Sequence, residues 1–299
     1  MLSLVRVLCV VFVVPLVVVT VFAQSNATLL REKADKGDAR AQFQLGVMYE
    51  GGKGIPPDFA QSAIWFRKAA EQGNATAQDY LGVMYGAGIG VPKDYAQAVV
   101  WLRKAVDQKN ADAQFELGSF YDAGDGVPKN SARAAVLYRK AAEQGNSMAQ
   151  NALACAYYNG AGVPQDYAQA AAWYRKVAEK GDPNAQLIVG SMYQDGKGVP
   201  QDFVQAATWF RKAAEQSNAN AQVLLGILYD SGQGVPKDYT ETYFWLDIAT
   251  LGEPEGIKPE DIIKAMDDAA SHLASTVLLQ TQERARKWFE AHTAKVNPQ

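Results

Sequence analysis

Residues 41–56 read AQFQLGVMYEGGKGIP, and residues 77–92 read AQDYLGVMYGAGIGVP. The pair Ala-Gln returns at 41, 77, 113, 149, 185 and 221, in steps of 36 residues without insertion. A period of that length is the mark of stacked helical repeats. Whole columns align with it. Tyrosine stands at 49, 85, 121, 157, 193 and 229, glycine at 54, 90, 126, 162, 198 and 234, and proline at 56, 92, 128, 164, 200 and 236. Tryptophan fills 65, 101, 173, 209 and 245, with Leu137 as the exception.

Each unit reads as two helices. The first opens at Asp38, Asn74, Asn110, Asn146, Asp182 or Asn218, whose side chains suit the free amides of a first turn. Ala41, Leu45 and Met48 share one face, with Gln42 and Tyr49 beside them. The helix runs out in Gly-x-Gly-(Val/Ile)-Pro, where glycine supplies positive φ and proline cannot continue. The second helix opens at Asp58, Asp94, Asn130, Asp166, Asp202 or Asp238, and Phe59, Ala63, Phe66 and Ala70 line its apolar face. Gly73, Gly145 and Gly181 follow it; Lys109 and Ser217 stand in that column elsewhere, which predicts a different ending there.

The organisation predicted is half a unit near 27–36, an array over 24–256, and an atypical segment over 257–299 that covers the last apolar face. In that segment Pro259 opens one helix and Ser275 another, the latter carrying Trp288 and Phe289.

Residues 1–23 stand apart. Arg6 precedes an apolar run from Val7 to Phe22 that closes on Val21-Phe22-Ala23, the pattern of a cleaved secretory signal peptide. The other reading is a retained anchor; the run is short for a span and Pro15 interrupts it. Export to a periplasm or secretion is therefore expected, with no membrane attachment after cleavage. Losing Arg6 takes the net charge from −3 to −4, which argues against a nucleic-acid partner. Cys155 is then the one thiol left, and a lone free cysteine reads as a small buried apolar residue.

The pattern A-Q-x-x-L-G-x-x-Y-x-x-G-x-G-V-P-x-D-(Y/F)-x-x-A-x-x-W-(F/Y)-R-K resembles the Sel-one-like repeat, a branch of the tetratricopeptide-like superfamily. Ala77, Gln78, Leu81, Gly82, Tyr85, Gly88, Gly90, Pro92, Asp94, Tyr95, Trp101, Arg103 and Lys104 carry it. The resemblance implies an all-α fold: a right-handed α-solenoid of antiparallel helix pairs with a 36-residue repeat, acting as an adaptor or scaffold for another protein. Some relatives carry a disulfide in each unit and are linked to cell-wall ligands; this chain lacks those cysteines.

No catalytic or metal-binding constellation is legible. His272 and His292 are distant from Cys155, and no zinc, nucleophile-elbow or phosphate-loop motif occurs. The expectation is a non-enzyme with no cofactor and no metal. The recurrent Arg-Lys pair, as at 67–68, is open to two readings: a basic stripe for an anionic polymer, or arginines offset by an acid four residues on, as Glu71 follows Arg67. The tryptophans are open to stacking on sugars or to packing between units.

Partner choice belongs where the units disagree. Positions 40, 44, 47 and 51 lie opposite the packed stripe of the first helix. Column 40 runs Arg40, Thr76, Asp112, Met148, Asn184, Asn220; column 43 runs Phe43, Asp79, Phe115, Asn151, Leu187, Val223; column 44 runs Gln44, Tyr80, Glu116, Ala152, Ile188, Leu224. In related solenoids the first helices line the concave surface. The sequence then predicts a groove that turns from polar and aromatic to apolar, for a peptide or helix of an envelope or host protein. The alternative is that these side chains pack against the next helix. A glycan or peptidoglycan-fragment binder, or a hydrolase using Asp112 and Glu116, is the second functional reading.

Overall fold

The computed structural model of the protein describes residues 28–52 and 54–293, and among them all regular structure is helical. The leader predicted at 1–23 lies outside the described residues. Helix α1 (28–35) precedes six pairs: α2 (Ala39–Gly51) with α3 (Phe59–Glu71), α4 (Ala75–Ala87) with α5 (Tyr95–Asp107), α6 (Ala111–Ala123) with α7 (Ser131–Glu143), α8 (Ser147–Asn159) with α9 (Tyr167–Glu179), α10 (Pro183–Asp195) with α11 (Phe203–Ala214), and α12 (Ala219–Ser231) with α13 (Tyr239–Leu251). Two further helices follow, α14 (Pro259–Ser271) and α15 (Ser275–Thr293). The protein is an all-α repeat solenoid. It comprises two compact units that divide after Ala149, within α8. No helix among the described residues is long and apolar enough to cross a membrane.

Local chemistry sets the helix ends. The Asn74 side chain accepts from the Ala77 amide at 2.9 Å, and Asp94 accepts from the Gln97 amide at 3.0 Å. At the end of α4 the Gly88 and Ile89 amides both return to the Met84 carbonyl, with Gly88 in the left-handed region. The loop then closes when the Asp94 amide reaches the Tyr85 carbonyl at 2.9 Å. Gly90 is held by space as well as by φ: a Cβ there would collide with the Phe59 carbonyl of the preceding second helix. Contrary to expectation, Lys109 (φ 63°) and Ser217 (φ 66°) end their helices as glycine does elsewhere. The Asn110 amide still returns to Ala105, as the Asn74 amide returns to Ala69, so the loop geometry overrides the side chain.

In unit 1, α2 packs on α3, α3 on α4, α4 on α5 and α5 on α6. Phe66, Leu81, Met84 and Trp101 form its core with a run of alanines. Burying a residue such as Phe66, which is 0% exposed, contributes about 1.5–3 kcal/mol. Gly82 lets α4 approach α5, since a Cβ there would stand 2.7 Å from Leu102 Cγ.

The glutamine column has a structural role that the sequence did not disclose. Gln78 is buried; its Nε2 donates to the Ala70 carbonyl at 3.0 Å, and its Oε1 accepts from Gln108 Nε2 at 2.8 Å. One side chain thus ties together α3, α4 and the end of α5. Gln42 does the same with Ala34 and Gln72, so α1 stands as the missing second helix of a preceding unit.

The arginine of the Arg-Lys pair is tied to a tyrosine of the next repeat rather than to the acid four residues on. Arg67 donates to the Tyr85 hydroxyl, and Arg103 donates to Tyr121 at 3.2 Å. Each arginine therefore ties a second helix to the first helix of the next repeat. The lysine folds back: Lys68 Nζ lies 3.9 Å from the Trp65 ring centroid and Lys104 the same from Trp101. Trp65 and Trp101 are buried, which is packing.

Unit 2 repeats these ties with Arg175–Tyr193, Arg211–Tyr229 and Gln216–Gln186. Its core gathers Phe210, Leu225, Leu228, Phe244, Trp245 and Ile248. The segment after the array lies on α13. Ala285 is buried in that core with Trp288 against it, Arg284 pairs with Glu241, and Ile262 meets Val223 and Leu246. His272 stacks on Tyr239 and His292 on Trp288. Cys155 is exposed, not buried as read from the sequence, and Asn159 Nδ2 lies 3.1 Å from its Sγ.

Candidate functional site

The variable positions do not all face solvent. Column 43 of one first helix meets column 44 of the next. The rings of Phe43 and Tyr80 lie 5.8 Å apart, edge to face, and Phe43 also packs at 5.6 Å on Phe66. One repeat later the same two columns hold acids. Asp79 is only 6% exposed and its Oδ1 has no hydrogen-bond partner. Burial first, then the Asp112 and Glu116 carboxylates, push its pKa up to about 7. Burial, then Asp112, also raises Glu116, and Asp112 accepts from Asn146 Nδ2 at 2.7 Å. Burial, then Glu50, Asp79 and Asp112, raise the Tyr80 hydroxyl. Unit 1 therefore presents an aromatic pair beside an acidic cluster. Among the described residues no group of three such side chains could hold a metal ion.

The remaining predicted residues of unit 1 are dispersed. Arg40 and Gln44 are exposed and border a hollow with Leu29, Leu30 and Lys33. Phe115 is half-buried against Tyr138 at 5.8 Å, and Met148 is exposed.

Unit 2 brings predicted residues together. Leu187, Ile188, Asn220 and Leu224 line one hollow of about 460 Å³. Leu187 and Leu224 rest on the Phe210 core and Ile188 on the Tyr174 core. Asn151 is half-buried and Asn184 borders the adjoining polar hollow. Val223 is taken out of play, since it is 3% exposed beneath Ile257 and Ile262.

Several wall residues escaped the sequence reading: Tyr158, Tyr174, Met192, Lys197, Glu255 and Ile257. Tyr158 had a signal, because its column runs Glu50, Gly86, Asp122, Tyr158, Gln194, Asp230 and lies seven residues beyond column 43 on the same helical face. Glu255 and Ile257 lie in the loop after α13 and carry no periodic signal. Burial, then Cys155 and Tyr158, hold the Tyr174 hydroxyl well above its usual range, so it stays protonated. Lys197 Nζ is 3.1 Å from Asp195 and 3.5 Å from the Tyr158 hydroxyl.

Helix pairs tied at a constant period, with a varying first-helix face, define a helical-repeat solenoid of the interaction type. The chain belongs to the Sel1 repeat family, whose model matches residues 39–74, 75–110, 111–146, 147–182, 183–218 and 219–253. It is similar to a Sel1 repeat protein from Oxalobacter formigenes, with 33% identity over 79% of this chain and 94% of that one and a TM-score of 0.65. It is also similar to c5321, a protective antigen present in uropathogenic Escherichia coli strains, with 28% identity over 92% of this chain and 83% of that one and a TM-score of 0.47. No curated protein matches it significantly. Sel1 repeat proteins generally act as scaffolds in protein–protein interaction.

Proposed function

We propose that the protein is an exported, non-enzymatic adaptor, periplasmic or secreted, that binds another protein through its first-helix face. One observation carries this reading. The ties through glutamine, arginine and tyrosine recur from repeat to repeat, whereas the first-helix face changes, and in unit 2 it opens into an apolar hollow. A surface kept free of the repeating pattern is where partner choice can reside. Export rests on the pattern of residues 1–23.

The test is affinity capture with residues 24–299 as bait, read by mass spectrometry. A matched bait carries Tyr80→Ala, Ile188→Asp and Leu224→Asp. A protein held by the first bait and lost by the folded second one supports the adaptor reading. Capture unchanged by the substitutions removes the first-helix face from it. Fractionation of cells making the full chain tests export, and retention in the cytoplasm overturns that part.

A further inference from the structure

Two hollows in unit 2 share a wall. The apolar one, about 460 Å³, is bounded chiefly by Tyr158, Leu187, Ile188, Met192, Leu224 and Ile257. The second, about 470 Å³, holds Asn184, Asn218, Glu253 and Glu255. Leu187, Asn220 and Glu255 belong to both. The combined site is therefore amphipathic and elongated, with room at one end for a large side chain.

Its charge is one-sided. Asp195, Glu253 and Glu255 stand against a single lysine, and that ammonium is already engaged by Asp195. Glu253 and Glu255 are exposed at the polar end. Asn220 adds an unmet need: its Oδ1 is buried with no donor in the free protein. An acceptor in that state is costly, and a ligand N–H reached by a turn of the amide would relieve it.

Resting on the adaptor reading, we propose that this site takes an extended segment of the partner protein in which a large apolar side chain is followed by lysine or arginine. The apolar side chain enters the hollow between Ile188 and Leu224. The segment's N–H groups meet Asn220, and the basic side chain lies by Glu253 and Glu255. An acidic segment is disfavoured by repulsion, and a basic one without the anchor leaves the hollow unfilled.

Three capped pentapeptides test this by titration of the full chain: tryptophan followed by two lysines, tryptophan followed by two glutamates, and glycine followed by two lysines. The first is expected to bind at least about tenfold more tightly than either other, a difference of about 1.4 kcal/mol. Leu224→Asp should abolish that binding. Glu253→Gln with Glu255→Gln should weaken it several-fold and reduce its salt sensitivity. Equal binding of all three peptides, no binding, or unchanged binding by both variants overturns the proposal. The adaptor reading is separable: a captured protein that Leu224→Asp releases, with no peptide bound, sinks the proposed segment alone. If the protein captures nothing and no peptide binds, both fall.

Discussion

Asp79 of α4 lies in the field of the Glu116 carboxylate of α6, in the two columns where, one repeat earlier, Phe43 and Tyr80 set ring against ring. The two columns are the same and the chemistry is opposite. Apolar rings gain from leaving water; two acids do not, and Asp79 has no basic group acting on it. Its answer is to keep its proton up to about pH 7.

The consequence is a pH dependence whose sign is unusual for an aspartate. The folded pKa, about 7, lies above the ordinary 3.8. Below the ordinary value both states are protonated and no penalty exists. Between about 4 and 7 the unfolded chain gives up the proton while the folded chain keeps it, so stability falls as pH rises. Asp79→Asn is expected to flatten that slope and to stabilise the protein at neutral pH by roughly 2–4 kcal/mol. Urea midpoints of both proteins from pH 4 to 8 decide it; parallel curves would refute it.

Lys109 and Ser217 hold left-handed backbone at positions that are glycine elsewhere. An L side chain there costs about 1–2 kcal/mol, part of which glycine returns through its freer unfolded chain. Lys109→Gly and Ser217→Gly should each stabilise by about 0.5–1 kcal/mol in thermal melts. No change, or a loss, would show that side-chain contacts outweigh the strain.

Three glycines should rank by what surrounds them. Gly73 has positive φ and open space, so Gly73→Ala should cost about 1 kcal/mol. Gly82→Ala drives a methyl into Leu102 inside the core, at about 1–3 kcal/mol. Gly90→Ala meets both a backbone carbonyl and the wrong φ, and should cost most. Chemical denaturation of the three variants gives the order directly, and a different order would contradict the packing described.

Removing residues 257–299 strips Ala285 and Trp288 from the Phe210 and Phe244 core and Ile262 from Val223. The shortened chain is expected to aggregate or to melt early in unit 2, with unit 1 retaining its transition. A monomer as stable as the full chain would show that α14 and α15 cover nothing essential.

Much of this was legible because a helix writes its core into its period. Ala77, Leu81 and Asn74 announced a face and a cap from spacing alone, and the structure places all three so. The ties between helices were not legible. Arg67 and Tyr85 are 18 residues apart, and Gln108 and Gln78 are 30 apart, separations longer than the 13-residue helices that carry them. The nearer acid, Glu71, offered a simpler local partner for the arginine. The candidate site was half legible. Leu187, Ile188 and Leu224 stood out as variation within an ordered column. Glu255 and Ile257 did not, because they come from a loop that nothing repeats. Asp79 stood in a column read as lining a groove, and only the packing of the folded chain shows that it is enclosed.

The short span of those ties bears on how the chain acquires its structure. Within each unit, a helix finds its arginine, tyrosine and glutamine partners among the few dozen residues just before or after it. Contacts so local ask little of loop closure, and such chains fold quickly. Order can begin at any repeat and spread to its neighbours. A growing polypeptide of this kind gains a finished surface every 36 residues, ready to receive the next pair as it emerges.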